Sequence, residues 1–245
     1  MERRRLQVLE RLRDPLTMRR LRRLDVTAGW RCLEVGAGAG SIVQWLSEAV
    51  GPTGQVLAID LDTRLLQGLD AANVEVRVQD LLGEHWDLAG FDLVHVRAVL
   101  HHLPGRQKQA IARLISALRP GGWLLAEELH MVADDQLQPG PWGQVRAAFA
   151  HLPQADYTWA PALPALVADS LIEMGTESDV DIGTGASDVA EFLRLSLHAL
   201  RAPFLATGAV DADLLAAAEA QLNDRTQARV VGCHWTTVWG RTPAG

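Results

Sequence analysis

Apolar residues along the chain fall into short runs separated by stretches with helical spacing. Arg31 to Val35 and Gln55 to Ile59 are predicted strands, with a predicted helix from Ser41 to Val50 between them. A helical stretch from Thr63 to Leu69 leads to predicted strands at Val74 to Gln79 and Phe91 to Val96. From Arg106 to Leu118 the residues Ile111, Leu114, Ile115 and Leu118 form one helical stripe, and "RPGG" turns the chain into a strand from Trp123 to Leu129. Strands alternating with helices predict a parallel sheet covered on both faces.

Beyond Leu129 the rhythm changes. Residues 130–160 are rich in Pro, Gly, Gln and Asp with interspersed aromatics, which predicts a cap over the sheet. A helix from Pro161 to Met174, a strand near Thr176 to Ile182, helices over Ser187 to Arg201 and Asp211 to Leu222, and a strand from Arg229 to Trp239 complete the pattern. Upstream, Leu6, Leu9, Leu12 and Leu16 recur at helical spacing in residues 1–24, an arm expected to dock on the domain with its arginines solvated. Asp14 and Pro15 look like an N-cap and a first helical residue, predicting two short helices there.

Composition narrows the class. With 245 residues and 48% apolar content the chain is expected to fold as one domain, residues 25–245, behind the arm, with cap or substrate segments near 130–160 and 184–225. The net charge is −7, yet residues 1–23 carry nine arginines against three acids, so the remainder sits near −13 and should repel nucleic acid. No apolar stretch approaches the roughly 18 residues of a membrane span, and the basic start lacks the apolar core of a signal peptide. Cys32 and Cys233 lie in apolar runs and imply no disulfide framework, so a cytoplasmic setting is expected.

The candidate chemistry begins at "CLEVGAGAGS". Gly36, Gly38 and Gly40 follow a strand and open a helix, which lets a backbone approach a nucleotide-like ligand where a Cβ would collide. Ser41 stands where the third glycine of the dinucleotide fingerprint would fall, and Glu34 would repel a pyrophosphate; both weigh against NAD.

These residues resemble the first motif of class I S-adenosylmethionine-dependent methyltransferases. "VLAIDLD", "VRVQDLL", "FDLVHVRAVLHHLP" and "ALRPGGWLLAEE" resemble the later motifs, in the order that family shows. The resemblance implies a Rossmann-like, doubly wound α/β sheet of seven mostly parallel strands, the last antiparallel. It further implies S-adenosylmethionine as cofactor. Asp60 would accept from the ribose hydroxyls with Leu61 beside it, and Asp80 and the Leu81 backbone would meet the adenine. Glu34, Gly36, Gly38, Gly40 and Arg97 complete the expected cofactor set.

Transfer to a hydroxyl or ammonium acceptor requires loss of a proton, for which histidine is the natural base. By the same resemblance His102 maps to the loop histidine beside the acceptor and Glu128 to an acid facing that space, a candidate base and its orienting acid. His102 equally admits a role in holding the cofactor's methionine end or fixing the loop. Arg97 admits either the cofactor, an acidic acceptor or a salt bridge, and His95, inside a strand, reads as a satisfied core residue. Trp142, Phe149, Tyr157 and Trp159 suit either packing of the cap or stacking on an acceptor.

The spacing of His130, His151 and His234 supports no metal site. The expected activity is therefore methyl transfer to O, N or C of a small, largely apolar metabolite, with no nucleic-acid partner and room for a homo-oligomer. A methyltransferase-like binding protein without turnover, a nucleic-acid methyltransferase and a nicotinamide oxidoreductase stand as alternatives.

Overall fold

The computed structural model describes residues 1–132 and 138–244; residues 133–137 of the predicted cap lie outside the described residues. Helix α1 (Glu2–Arg23) precedes an alternation of β1 (Arg31–Val35), α2 (Ser41–Val50), β2 (Gln55–Asp60), β3 (Val74–Val78), β4 (Phe91–Arg97), α3 (Gln107–Ser116) and β5 (Leu118–His130). Then follow α4 (Pro141–Ala148), α5 (Leu163–Val167), β6 (Ile172–Gly183), α6 (Asp188–Thr207), α7 (Ala212–Asn223) and β7 (Val230–Arg241). The strands form one sheet in the order β3-β2-β1-β4-β5-β7-β6. Strands β3, β2, β1, β4 and β5 run parallel, while β7 is antiparallel to both β5 and β6.

Central strands of such a sheet are buried on both faces, so they read as continuous apolar runs rather than alternating ones. Cys32 to Val35 and Leu93 to Val96 are all buried. Helix α2 buries Ile42, Val43, Leu46 and Val50 on one stripe against Cys32, Val56 and Leu93, each such side chain contributing about 1.5–3 kcal/mol. On the other face α3 packs Ile111 and Leu114 against Val94, Val96 and Leu124. A further core joins Val8 and Leu9 of α1 to α4, α6, α7 and the end of β7, so the arm is part of the packed body.

Three sequence-based expectations are corrected. The arm is one 22-residue helix with Pro15 inside it, because tertiary bonds from Arg13 to Asp179 and from Arg20 to Glu127, Glu177 and Asp179 hold the chain helical on both sides of the proline. Its arginines are not all solvated: Arg13 and Arg20 are buried, and Arg4 and Arg11 pair with Glu191 and Asp188 of α6. The helix expected over Pro161 to Met174 ends at Val167. From Ile172 onward the backbone pairs with β7, which satisfies its N–H and C=O groups.

Candidate active site

A cavity of about 490 Å³ opens at the carboxyl ends of β1, β2, β4 and β5, a size and position suited to a cofactor with a small partner. Its floor is the Gly36 to Gly38 turn with Asp60 and Asp80 at one end. Leu6 and Leu9 of α1 roof it, and Met131, Phe149, Tyr157, Phe192 and Cys233 wall the other end.

The three glycines serve different needs. Gly36 has φ +72°, and a Cβ there would sit 2.1 Å from Val99 Cγ2. Gly40 has φ +94° and would meet Leu69 at 2.8 Å; it caps α2 and does not line the cavity. Its glycine character answers to packing and helix start. Gly38 is left-handed too, at φ +57°, but a Cβ there would fit without overlap, in ordinary contact with Leu6 of the roof at 3.8 Å.

Asp60 closes this turn: one carboxylate oxygen accepts from Gly38 N at 2.9 Å and the other from Asp62 N at 3.0 Å, and its remaining lone pairs border the cavity. Asp80 accepts from Leu82 N at 2.8 Å and also lines the cavity, beside the buried Leu81 and the half-buried Gln79. Leu61 is 71% exposed on the rim. Arg97 borders the space but gives two nitrogens to α1, at 2.9 Å to Thr17 Oγ1 and 2.8 Å to Asp14 Oδ1. Glu10 accepts from Ser41 N, the first N–H of α2, so the roof also tethers the helix that the glycines open.

The expected pairing of His102 with Glu128 is not formed. Glu128 is fully buried and does not line the cavity. Its oxygens accept from Val99 N at 2.9 Å, Leu100 N at 2.8 Å and His101 N at 3.3 Å, and they meet His101 Nδ1 at 3.2 Å. The physical reason is the turn of Leu100 to His102, which points its main-chain donors at β5 and brings the first histidine over the carboxylate. His101 lines the cavity, its ring tilted against His102 at 3.9 Å and Tyr157 at 5.1 Å between ring centres. His102 borders the open space. It stays exposed at the cavity rim, while desolvation by the protein around it, then the neighbouring His101 and Arg5, lower its pKa.

Beneath the glycine turn lies a buried charge network. His95, fully buried on β4, has Nδ1 2.6 Å from Glu34 Oε2 on β1 and Nε2 3.2 Å from Glu127 Oε2 on β5. Glu127 also accepts from Thr17 and Arg20 of α1. Burial alone would lower the His95 pKa, but the two carboxylates outweigh it and raise it to about 9; burial would raise that of Glu127, but His95 and Arg20 bring it to about 2.

The pH dependence follows by linkage. The His95 contribution is complete below about 6.5 and is lost as pH rises through about 9, and the Glu127 contribution is complete above 4.5 and is lost as pH falls through about 2. Urea midpoints are thus expected to be highest near pH 4.5–6.5 and to decline towards pH 9. A midpoint that rises between pH 7 and 9 would contradict this.

Reading residue types alone did not foresee His101 as the partner of Glu128, nor Glu127, Arg13 and Arg20 as buried ions. A signal was present: Glu34 and His95 each interrupt an apolar buried run, as does the Glu127–Glu128 pair, and groups of opposite sign on adjacent buried strands are expected to pair. The aromatics divide. Phe149 and Tyr157 face the cavity, whereas Trp142 and Trp159 are packed in the core.

Residues 33–124 match the family described as a methyltransferase domain. Methyltransferase str2 of Strobilurus tenacellus is 34% identical over 109 residues, 43% of this chain and 38% of its own length. The ubiquinone/menaquinone biosynthesis C-methyltransferase UbiE of Pseudomonas putida is 32% identical over 111 residues, 42% of this chain and 43% of its own. The chain thus spans about two fifths of the length of these curated relatives.

The fold is shared with Haemonchus contortus phosphoethanolamine N-methyltransferase 2, solved with phosphomonomethylethanolamine and S-adenosylhomocysteine, at a TM-score of 0.57 and 16% identity over 98% of this chain and 52% of that one. Residues 33–124 of the chain thus resemble a methyltransferase domain. The matched stretch holds the glycine turn, Asp60, Asp80 and the histidine loop. The roof from α1 lies before it, and Met131, Phe149, Tyr157, Phe192 and Cys233 lie after it. Among the described residues no helix is long and apolar enough to cross a membrane, and no three His, Cys, Asp or Glu side chains gather as a metal site would require.

Proposed function

We propose that the chain transfers a methyl group from S-adenosylmethionine to a nucleophilic oxygen, nitrogen or carbon of a small, largely apolar acceptor. The observation that carries this reading is one continuous cavity with two chemically different ends: an exposed glycine main chain with carboxylates at one, and apolar and aromatic walls at the other. S-adenosylmethionine, when bound, supplies an electrophilic methyl on a sulfonium.

Gly36 and Gly38 would hold its amino-acid tail, Asp60 and Leu61 the ribose side, and Asp80 and Leu81 the adenine. Glu34 and Arg97 border the same end, and both are already held by protein partners, so they shape its electrostatics rather than supply spare bonds. The α1 roof and the apolar wall exclude water, and fixing two reactants in a dry site lowers the barrier by several kcal/mol through positioning. Where the acceptor must lose a proton, His101 is the better base of the loop pair, because Glu128 orients its Nδ1 and the cavity lies beyond the ring. Nucleic-acid acceptors are disfavoured, since Arg4, Arg11, Arg13, Arg19, Arg20 and Arg23 of the arm pair with acids of the same chain.

The test is calorimetry with S-adenosylhomocysteine and with NADH, followed by methyl transfer from labelled cofactor to a panel of small acceptors. Saturable uptake of the homocysteine compound and not NADH is expected. With an accepted substrate, His101→Gln should lower kcat by about 100-fold and His102→Gln by less than about tenfold, both with near-native cofactor affinity. Uptake of NADH alone would overturn the reading.

A further inference from the structure

Arg5 has no place in the scheme above, yet it lines the cavity from the first turns of α1. Its Nε and Nη2 both donate to Glu2, while Nη1 donates to no oxygen among the described residues. The guanidinium lies 5.9 Å from the Phe192 ring centre, and its field reaches His102, Tyr157 and Cys233, all at the apolar end. Arg97, the other guanidinium on the cavity, is spent on Asp14 and Thr17. A half-buried cation with one donor nitrogen unused on a largely apolar cavity is a ready partner for an anionic oxygen, through a charge-assisted bond.

The geometry points to Arg5 as the residue that selects the acceptor, by pairing with an anionic oxygen on an otherwise apolar molecule. This rests on the methyl-transfer reading and adds the class of acceptor to it: an aromatic or aliphatic body bearing a carboxylate or an acidic, ionised hydroxyl. The wall of Phe149, Phe192, Leu193 and Leu200 takes the body, and Arg5 fixes the orientation from the roof. Glu2, which also lines the cavity, competes for the same guanidinium through Nε and Nη2, so its replacement should free those donors and remove a like charge from the site.

The test uses the full chain saturated with S-adenosylhomocysteine and two matched probe pairs, 1-naphthoate against 1-naphthamide and 4-nitrophenolate at pH 8.5 against 4-nitroaniline. At least one anion is expected to bind about tenfold tighter than its neutral partner, as one charge-assisted bond in a partly wet site supplies; which pair shows it separates carboxylate from phenolate. Arg5→Gln should abolish the preference, Arg5→Lys should keep part of it, and Glu2→Gln should enlarge it, with cofactor-product affinity within about twofold throughout. No preference for either anion, including no uptake of either, overturns the inference. So does a loss of S-adenosylhomocysteine affinity in Arg5→Gln as large as the loss of anion affinity, which would place Arg5 on the cofactor instead. Failure of the underlying function is a separate result: the unaltered chain would then take up no S-adenosylhomocysteine.

Discussion

His95→Ala is expected to lower the unfolding free energy by about 3–5 kcal/mol in urea titrations at pH 6, the cost of breaking a buried ion network by removing one member. Two effects compete to set the size. The lost ring volume leaves a cavity, worth about 24 cal/mol per Å³, while Glu34 loses its nearest partner and Glu127 keeps only Arg20 and Thr17. The uncompensated carboxylates should dominate, because both lie in the sheet interior. His95→Gln, which restores one donor within a similar volume, separates the two and should recover part of the loss. A shift below about 0.5 kcal/mol, typical of an inconsequential surface change, would show that the network contributes little.

The second large effect contrasts two adjacent glycines of one loop. Gly36→Ala places a methyl 2.1 Å from Val99 Cγ2 at a left-handed backbone position, so overpacking and strain together should cost about 2–5 kcal/mol of stability. Val99 also donates to Glu128, so its displacement should carry into the His101 turn. Gly38→Ala meets nothing closer than 3.8 Å and should lose only about 1–2 kcal/mol from its backbone conformation. Its methyl, however, stands on the cavity floor, so S-adenosylhomocysteine affinity should fall by about tenfold or more, at least 1.4 kcal/mol. Parallel urea and calorimetric titrations check both. Should Gly38→Ala bind as the native chain does, the floor of the cavity does not contact the cofactor.

Strands β1, β2, β4 and β5 were legible because central strands write their burial as apolar runs broken only by a few charges, and β1 spans the same residues, Arg31 to Val35, in the sequence and in the structure; β3, at the sheet edge and largely exposed, shows instead through its alternating valines. The glycine turn was equally plain, since three alternate glycines after such a run have few structural uses. The later half was harder. Residues 161–174 carry an apolar spacing that suits a helix, and only the long partner strand β7 makes Ile172 to Met174 part of a strand. The proline in α1 looked like a boundary because local rules place it at a helix start, and distant acids on β6 override that. His102 was preferred to His101 by position in a motif; which of two adjacent rings meets Glu128 depends on the turn of residues 100–102, which no residue spacing encodes.

The roof over the cavity changes what counts as the smallest working piece of this protein. The recognisable domain begins at residue 33, yet a fragment cut there would strip the ceiling from its own ligand chamber and leave Glu127, Glu177 and Asp179 facing one another without the guanidiniums that now separate them. The boundary drawn by likeness to relatives and the boundary of a self-sufficient folding unit therefore do not coincide, and the opening helix belongs to the packed body as fully as any strand.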